Sequence, residues 1–203
     1  MKTKYLFIII LFSLLSSKAY SQRFKGGILL GMNASQIDGD YWSGFYKGGL
    51  LAGAFVNTEL QDNWGAQLEI KYSAKGSAPH PDSPDYPMKI QLNYIDVPLI
   101  GTFEAVENLK LEAGISFNYL FSGKISDASG WNDFNDDGPN SFETSVLFGL
   151  NYRFFTRFDL NLRYNVSLVP ISGDYTGQTF KKGAMSNHVI SFALYFHLGN
   201  RDI

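Results

Sequence analysis

From position 24 to position 198 the chain alternates apolar and polar residues in blocks of about ten, each bounded by turn-forming residues. The block at 64–75 is the clearest: Trp64, Ala66, Leu68, Ile70 and Tyr72 share one parity, while Gln67, Glu69, Lys71, Ser73 and Lys75 share the other. Successive side chains on a strand point to opposite faces, so this spacing segregates grease from charge only as a β-strand. The same pattern predicts strands over 24–35, 47–60, 64–75, 89–103, 109–122, 141–154, 158–169 and 188–198. Strand 47–60 is apolar on both parities and rich in glycine, which leaves its phase open. In 89–103 the apolar parity changes, from Ile90, Leu92 and Tyr94 to Ile95, Val97 and Leu99, which predicts a β-bulge near Tyr94.

Short turns at 61–63, 106–108 and 155–157 alternate with long connections at 36–46, 76–88, 123–140 and 170–187. The second long connection holds Pro79, Pro81, Pro84 and Pro87 and cannot pair as a ladder. Eight strands with short turns at one end and long loops at the other predict an all-β, eight-stranded antiparallel up-and-down transmembrane β-barrel.

The volumes of the two faces give the alternation a direction. A soluble lipocalin-like barrel that binds a small ligand would turn its apolar set inward. Eight strands enclose room for side chains or one small ligand. Trp64, Tyr72, Phe117, Tyr119, Phe121, Phe142, Phe148 and Tyr152 would overfill that space. The opposite set is small, as at Gly27, Gly31, Gly114, Ser116, Ser145 and Ser191, or charged with both signs, as at Glu69, Lys71, Glu112, Glu143, Arg153 and Arg163. These six charges are expected to pair inside the lumen. On a lipid face each midplane Lys or Arg would cost ~2–4 kcal/mol. Trp64 and Tyr72 are ~26 Å apart along a strand, or ~20 Å along the normal of a tilted one, which suits aromatic girdles bounding an apolar band of ~25 Å.

Composition narrows the class further. Residues 1–4 form a basic head, 5–15 an apolar run and 16–21 a small-residue tail ending Ala19-Tyr20-Ser21, the pattern of a cleaved signal peptide over 1–21. The barrel domain is then expected over 22–203. Losing Lys2, Lys4 and Lys18 leaves 14 Lys and Arg against 19 Asp and Glu, a net charge of −5, which offers no footprint for nucleic acid. The chain has no cysteine, so it has no disulfide framework or thiolate metal site. Together these features predict an integral outer-membrane protein of a Gram-negative-type bacterium.

The chain resembles the PorT-like family of outer-membrane β-barrel proteins. The likeness lies in Phe24-Lys25-Gly26-Gly27, Gly31-Met32-Asn33-Ala34-Ser35, Gly44-Phe45 with Gly48 and Gly53, Glu69-Ile70-Lys71-Tyr72-Ser73-Ala74-Lys75-Gly76 and Leu92-Asn93-Tyr94-Ile95-Asp96-Val97-Pro98-Leu99. It implies an eight-stranded outer-membrane barrel in a family that includes a component linked to secretion. It offers no catalytic residue.

Candidate chemistry is sparse. Asp133-Phe134-Asn135-Asp136-Asp137-Gly138 fits the opening of a calcium loop, with Asp133, Asn135 and Asp137 as candidate Ca2+ ligands, but the twelfth position is Thr144 and Glu143 falls one short. His80, His188 and His197 are scattered without metal spacing, and no other cofactor is implied. Trp42, Phe45, Trp131 and Phe134 in the long loops are candidates for contact with a protein or surface partner, or equally for the aromatic girdle at the outer leaflet. The expectation is a non-catalytic structural or interaction barrel in outer-membrane lipid, with a narrow porin-like channel as the alternative.

Overall fold

A computed structural model of the chain describes residues 24–40, 42–83, 88–127, 130–134, 138–171 and 185–199. Nine strands occur among them: β1 (Lys25–Asp38), β2 (Lys47–Glu59), β3 (Trp64–Ser77), β4 (Lys89–Val106), β5 (Leu109–Asp127), β6 (Gly130–Asp133), β7 (Phe142–Phe155), β8 (Phe158–Ser167) and β9 (Ser186–His197). Eight of them close a ring in the order β1-β2-β3-β4-β5-β7-β8-β9, with β9 pairing back to β1 and every junction antiparallel. Closure gives every barrel strand two neighbours and leaves no open edge in the ring, which is what a sheet immersed in hydrocarbon requires.

The apolar set faces outward as the pattern predicts. Leu30, Met32, Trp64, Ile70, Phe117, Phe148 and Phe192 all lie exposed on the outer wall. The ambiguous strand resolves with Leu50 and Val56 outside and Leu51 and Phe55 inside. Aromatic pairs mark both ends of the band: Trp64 with Phe103 (4.9 Å between centroids) and Phe158 with Phe196 (5.1 Å) near the short turns, and Tyr72 with Phe121 (6.1 Å) and Tyr119 with Phe142 (5.2 Å) near the long loops.

The short turns use left-handed backbone at Asp62 (φ 52°) and Asn108 (φ 65°). Short polar side chains tolerate that conformation better than other non-glycine residues. At Gly27 a Cβ would run into the Phe196 carbonyl on β9 and into the Phe55 ring (2.6 Å), so the missing side chain lets both approach β1 closely.

Two sequence expectations need correction. Along β4 the alternation never breaks: Ile90, Leu92, Tyr94, Asp96, Pro98, Ile100 and Thr102 are all buried on the lumen side, and Leu99 lies outside. The change of apolar parity is a change in what fills the lumen, apolar near the long loops and polar below. The register does slip between Asn93 and Tyr94, but the extra residue is Phe121 on β5, since Asn93 faces Ser122 while Tyr94 faces Leu120. The second correction concerns the 123–140 connection. Residues 123–127 extend β5, and β6 folds back on them as a hairpin beyond the barrel wall.

Candidate functional site

The lumen is filled by three tiers of side chains. The middle tier centres on Arg163 of β8, which is 1% exposed. Its Nη1 and Nη2 donate to Glu69 Oε2 (3.0 Å) and Oε1 (3.2 Å) on β3, and its Nε and Nη2 donate to Glu112 Oε2 on β5 (3.1 and 2.7 Å). A planar guanidinium can serve two carboxylates at once in this way, where an ammonium acts as a point charge. Glu69 also accepts from Lys71 (3.0 Å), Gln67 (2.7 Å) and the Tyr195 hydroxyl (2.9 Å), and Glu112 accepts from Asn161 (2.8 Å). Alternation alone places these groups inward; register then brings β3, β5 and β8 to one level across the barrel.

The upper tier is built on Lys75, whose Nζ lies 3.2 Å from Asp96 and 3.5 Å from Glu143, and 4.4 Å from the centre of the Tyr94 ring. Ser167 donates to Glu143 Oε1 at 2.6 Å, and the Asn187 amide donates to Glu143 Oε2 and to the Tyr94 hydroxyl. Above it Ile37, Ile90, Leu92, Tyr94, Ile171 and Met185 form a buried apolar cluster, with Trp42, Leu120, Ile125 and Phe134 packed against it. Among the described residues, hydrocarbon thus lies across the lumen toward the long loops, with buried Ser35, Asp40 and Ser77 also at that end.

At the short-turn end Arg153 holds Asp159 through two bonds (2.6 and 2.8 Å), and His197 Nε2 lies 2.9 Å from the same carboxylate. Between this group and Glu112 is a polar void of about 20 Å³, room for about one water.

All six charges expected in the lumen face it, and each has an opposite charge or a hydrogen-bond partner there. Asp96 and Asp159 were not among them and complete the upper and lower tiers. The lumen is also more apolar than the volume argument expects. Besides the upper cluster, Leu29, Leu51, Phe55, Ala193 and Tyr195 pack together on the β1, β2 and β9 side.

The four loop aromatics do not form one surface. Trp42 and Phe134 pack against the apolar cluster, Phe45 is half-buried, and Trp131 on β6 is exposed. Of the calcium candidates, Asp133 is exposed with Lys124 at 3.8 Å, while Asn135 and Asp137, like residues 1–21 of the expected leader, lie outside the described residues. Glu143, one place short in that motif, is held in the lumen by Lys75 and Ser167.

A closed eight-stranded wall with grease outside and a packed, charge-paired interior is the build of small outer-membrane barrels. Among solved structures, Ail, the attachment invasion locus protein of Yersinia pestis, superposes with a TM-score of 0.52 at 13% identity, covering 87% of this chain and 99% of Ail. Neisserial surface protein A gives 0.54 at 11% identity, covering 84% and 96%. At such identities the likeness is one of fold. No curated protein sequence matches the chain. A family model described as outer membrane protein beta-barrel domain matches residues 16–173, and the chain belongs to that family.

Proposed function

We propose that this chain is a non-conducting outer-membrane scaffold that engages a protein or surface partner through its long-loop end, without catalysis. The observation that carries the reading is the filled lumen. Arg163 bridges β8 to β3 and β5 across the middle of the barrel, and a buried apolar cluster lies above it. A porin-like role would need a polar path past both. With the interior occupied, the surface left for recognition is the loop end, where the β5–β6 hairpin carries exposed Trp131 beyond the wall. Export by a cleaved leader at 1–21 belongs to the same reading. The PorT-like strand and turn motifs favour a secretion-linked partner as its more specific form.

The test is co-purification after mild crosslinking of intact envelopes. A partner captured by the native chain should be lost when residues 126–133 are replaced by a Gly-Ser turn, with the barrel still heat-modifiable on gels. Capture that survives this replacement would move recognition away from the hairpin.

A further inference from the structure

The β5–β6 hairpin ends in an open sheet edge. β7 begins at Phe142, opposite Tyr119, so beyond that level β5 takes β6 as its neighbour instead. β6 is the last strand in the sheet order, and among the described residues no strand pairs with its outer side. Where the chain is described again from 138, it is bonded elsewhere. The Asn140 backbone N–H donates to the Ile171 carbonyl (2.5 Å) and its side-chain amide to the Pro170 carbonyl (3.3 Å).

Register decides which groups this edge offers. The Phe134 N–H donates to the Gly123 carbonyl (3.4 Å), and Asn132 faces Ile125 two places back. Bonded and non-bonded pairs alternate along an antiparallel ladder. Asn132 is therefore turned to β5, while Trp131 and Asp133, opposite Ser126 and Lys124, turn their backbone N–H and C=O groups away from it. Gly130, Trp131, Asn132 and Asp133 are all exposed. An unpaired edge is a template for another strand, and folded proteins commonly blunt such edges with lysine, proline or a bulge. β6 carries none of these.

Charge narrows the occupant. The 123–140 connection holds four acidic residues, Asp127, Asp133, Asp136 and Asp137, against the one basic residue Lys124, a net charge of −3. On the edge itself the Asp133 side chain is 81% exposed and stands 3.8 Å from Lys124 on the β5 side. An added strand would meet it from the other side, where an opposite charge directly across the pair is favourable. Trp131 offers an exposed apolar surface two positions away, on the same face of the strand.

We infer that this edge binds an extended, basic segment of a partner protein as an added antiparallel strand, with a lysine or arginine opposite Asp133 and an apolar residue opposite Trp131. Strand addition rests on the hairpin being the proposed recognition surface. The backbones of Trp131 and Asp133 supply the hydrogen bonds, and their side chains select the sequence.

The test is an NMR titration of the refolded full chain in detergent micelles, following the Trp131 and Asp133 amides. The probe is the peptide acetyl-Thr-Lys-Thr-Val-Thr-amide, which sets its lysine opposite Asp133 when its valine is opposite Trp131. Both amides should shift and saturate. A form N-methylated at the lysine and valine, and a form with glutamate in place of lysine, should each bind at least about tenfold more weakly. In Asp133→Asn the preference for lysine over glutamate should vanish. No shift with the parent peptide, or equal binding of the N-methylated form, would overturn strand addition. Equal binding of the glutamate form would overturn the basic assignment. Shifts at these amides that grow with protein concentration in the absence of peptide would give the edge to a second copy instead. The peptide comparison on the native chain decides the matter even if the variant does not fold. Envelope capture that is lost with the hairpin yet unaffected by excess peptide would keep the recognition surface and overturn strand addition alone.

Discussion

Arg163 on β8 reaches through the barrel to Glu69 on β3, 94 positions earlier, and grips its carboxylate with two bonds of 3.0 and 3.2 Å. Both side chains are almost wholly buried, so the pair stands where water cannot compensate for either charge.

Removing one partner should therefore cost far more than removing all of them. Arg163→Met leaves Glu69 and Glu112 facing each other without their main cation, and a loss of ~3–5 kcal/mol is expected. Adding Glu69→Gln, Glu112→Gln and Lys71→Met to that variant, so that no buried charge of the tier loses its partner, should restore most of it. Urea unfolding of the refolded barrel in lipid vesicles measures both; equal stability of the single and quadruple variants would contradict the reading.

On the outer wall, Leu162 is 49% exposed and pairs across the ladder with Leu150 and Phe192. Leu162→Arg should cost ~2–4 kcal/mol near the bilayer midplane and lower the folded fraction on heat-modifiability gels. Leu162→Ile should leave both unchanged.

The turn between β4 and β5 tests backbone strain alone. Asn108 sits at φ 65°, where a Cβ without a helpful polar group is penalised by ~1–2 kcal/mol. Asn108→Ala should lower the urea midpoint accordingly, and Asn108→Gly should not.

In the apolar cluster Leu92 is fully buried beside Tyr94. Leu92→Ala should destabilise by ~2–5 kcal/mol through the cavity it leaves. It should not open a pore, because the Arg163 tier beneath remains intact.

Strand count, the direction of the two faces and the six inward charges were legible in the sequence because a period of two survives any detail of packing. What was not legible is how the lumen divides along its axis. Ile90, Leu92 and Tyr94 read as lipid-facing because grease usually faces lipid, yet they lie inside, across the lumen. The signal that would have placed them is Asp96, a lone carboxylate on the same parity, which had to face the lumen and carry its neighbours with it. The irregularity expected near Tyr94 is there, but the strand that carries its extra residue was not legible, because Phe121 continues the outward aromatic parity of Phe117 and Tyr119 and the slip shows only in the register with β4. Pairing across the lumen could not be read at all, since Glu69, Glu112 and Arg163 meet only when the ring closes.

Planar-bilayer recording of the purified, refolded chain tests the filled lumen most directly. The native protein should give no unitary conductance in molar KCl at either polarity. Reproducible unitary steps from the native chain would contradict a barrel plugged at its midplane and crossed by hydrocarbon toward its loop end.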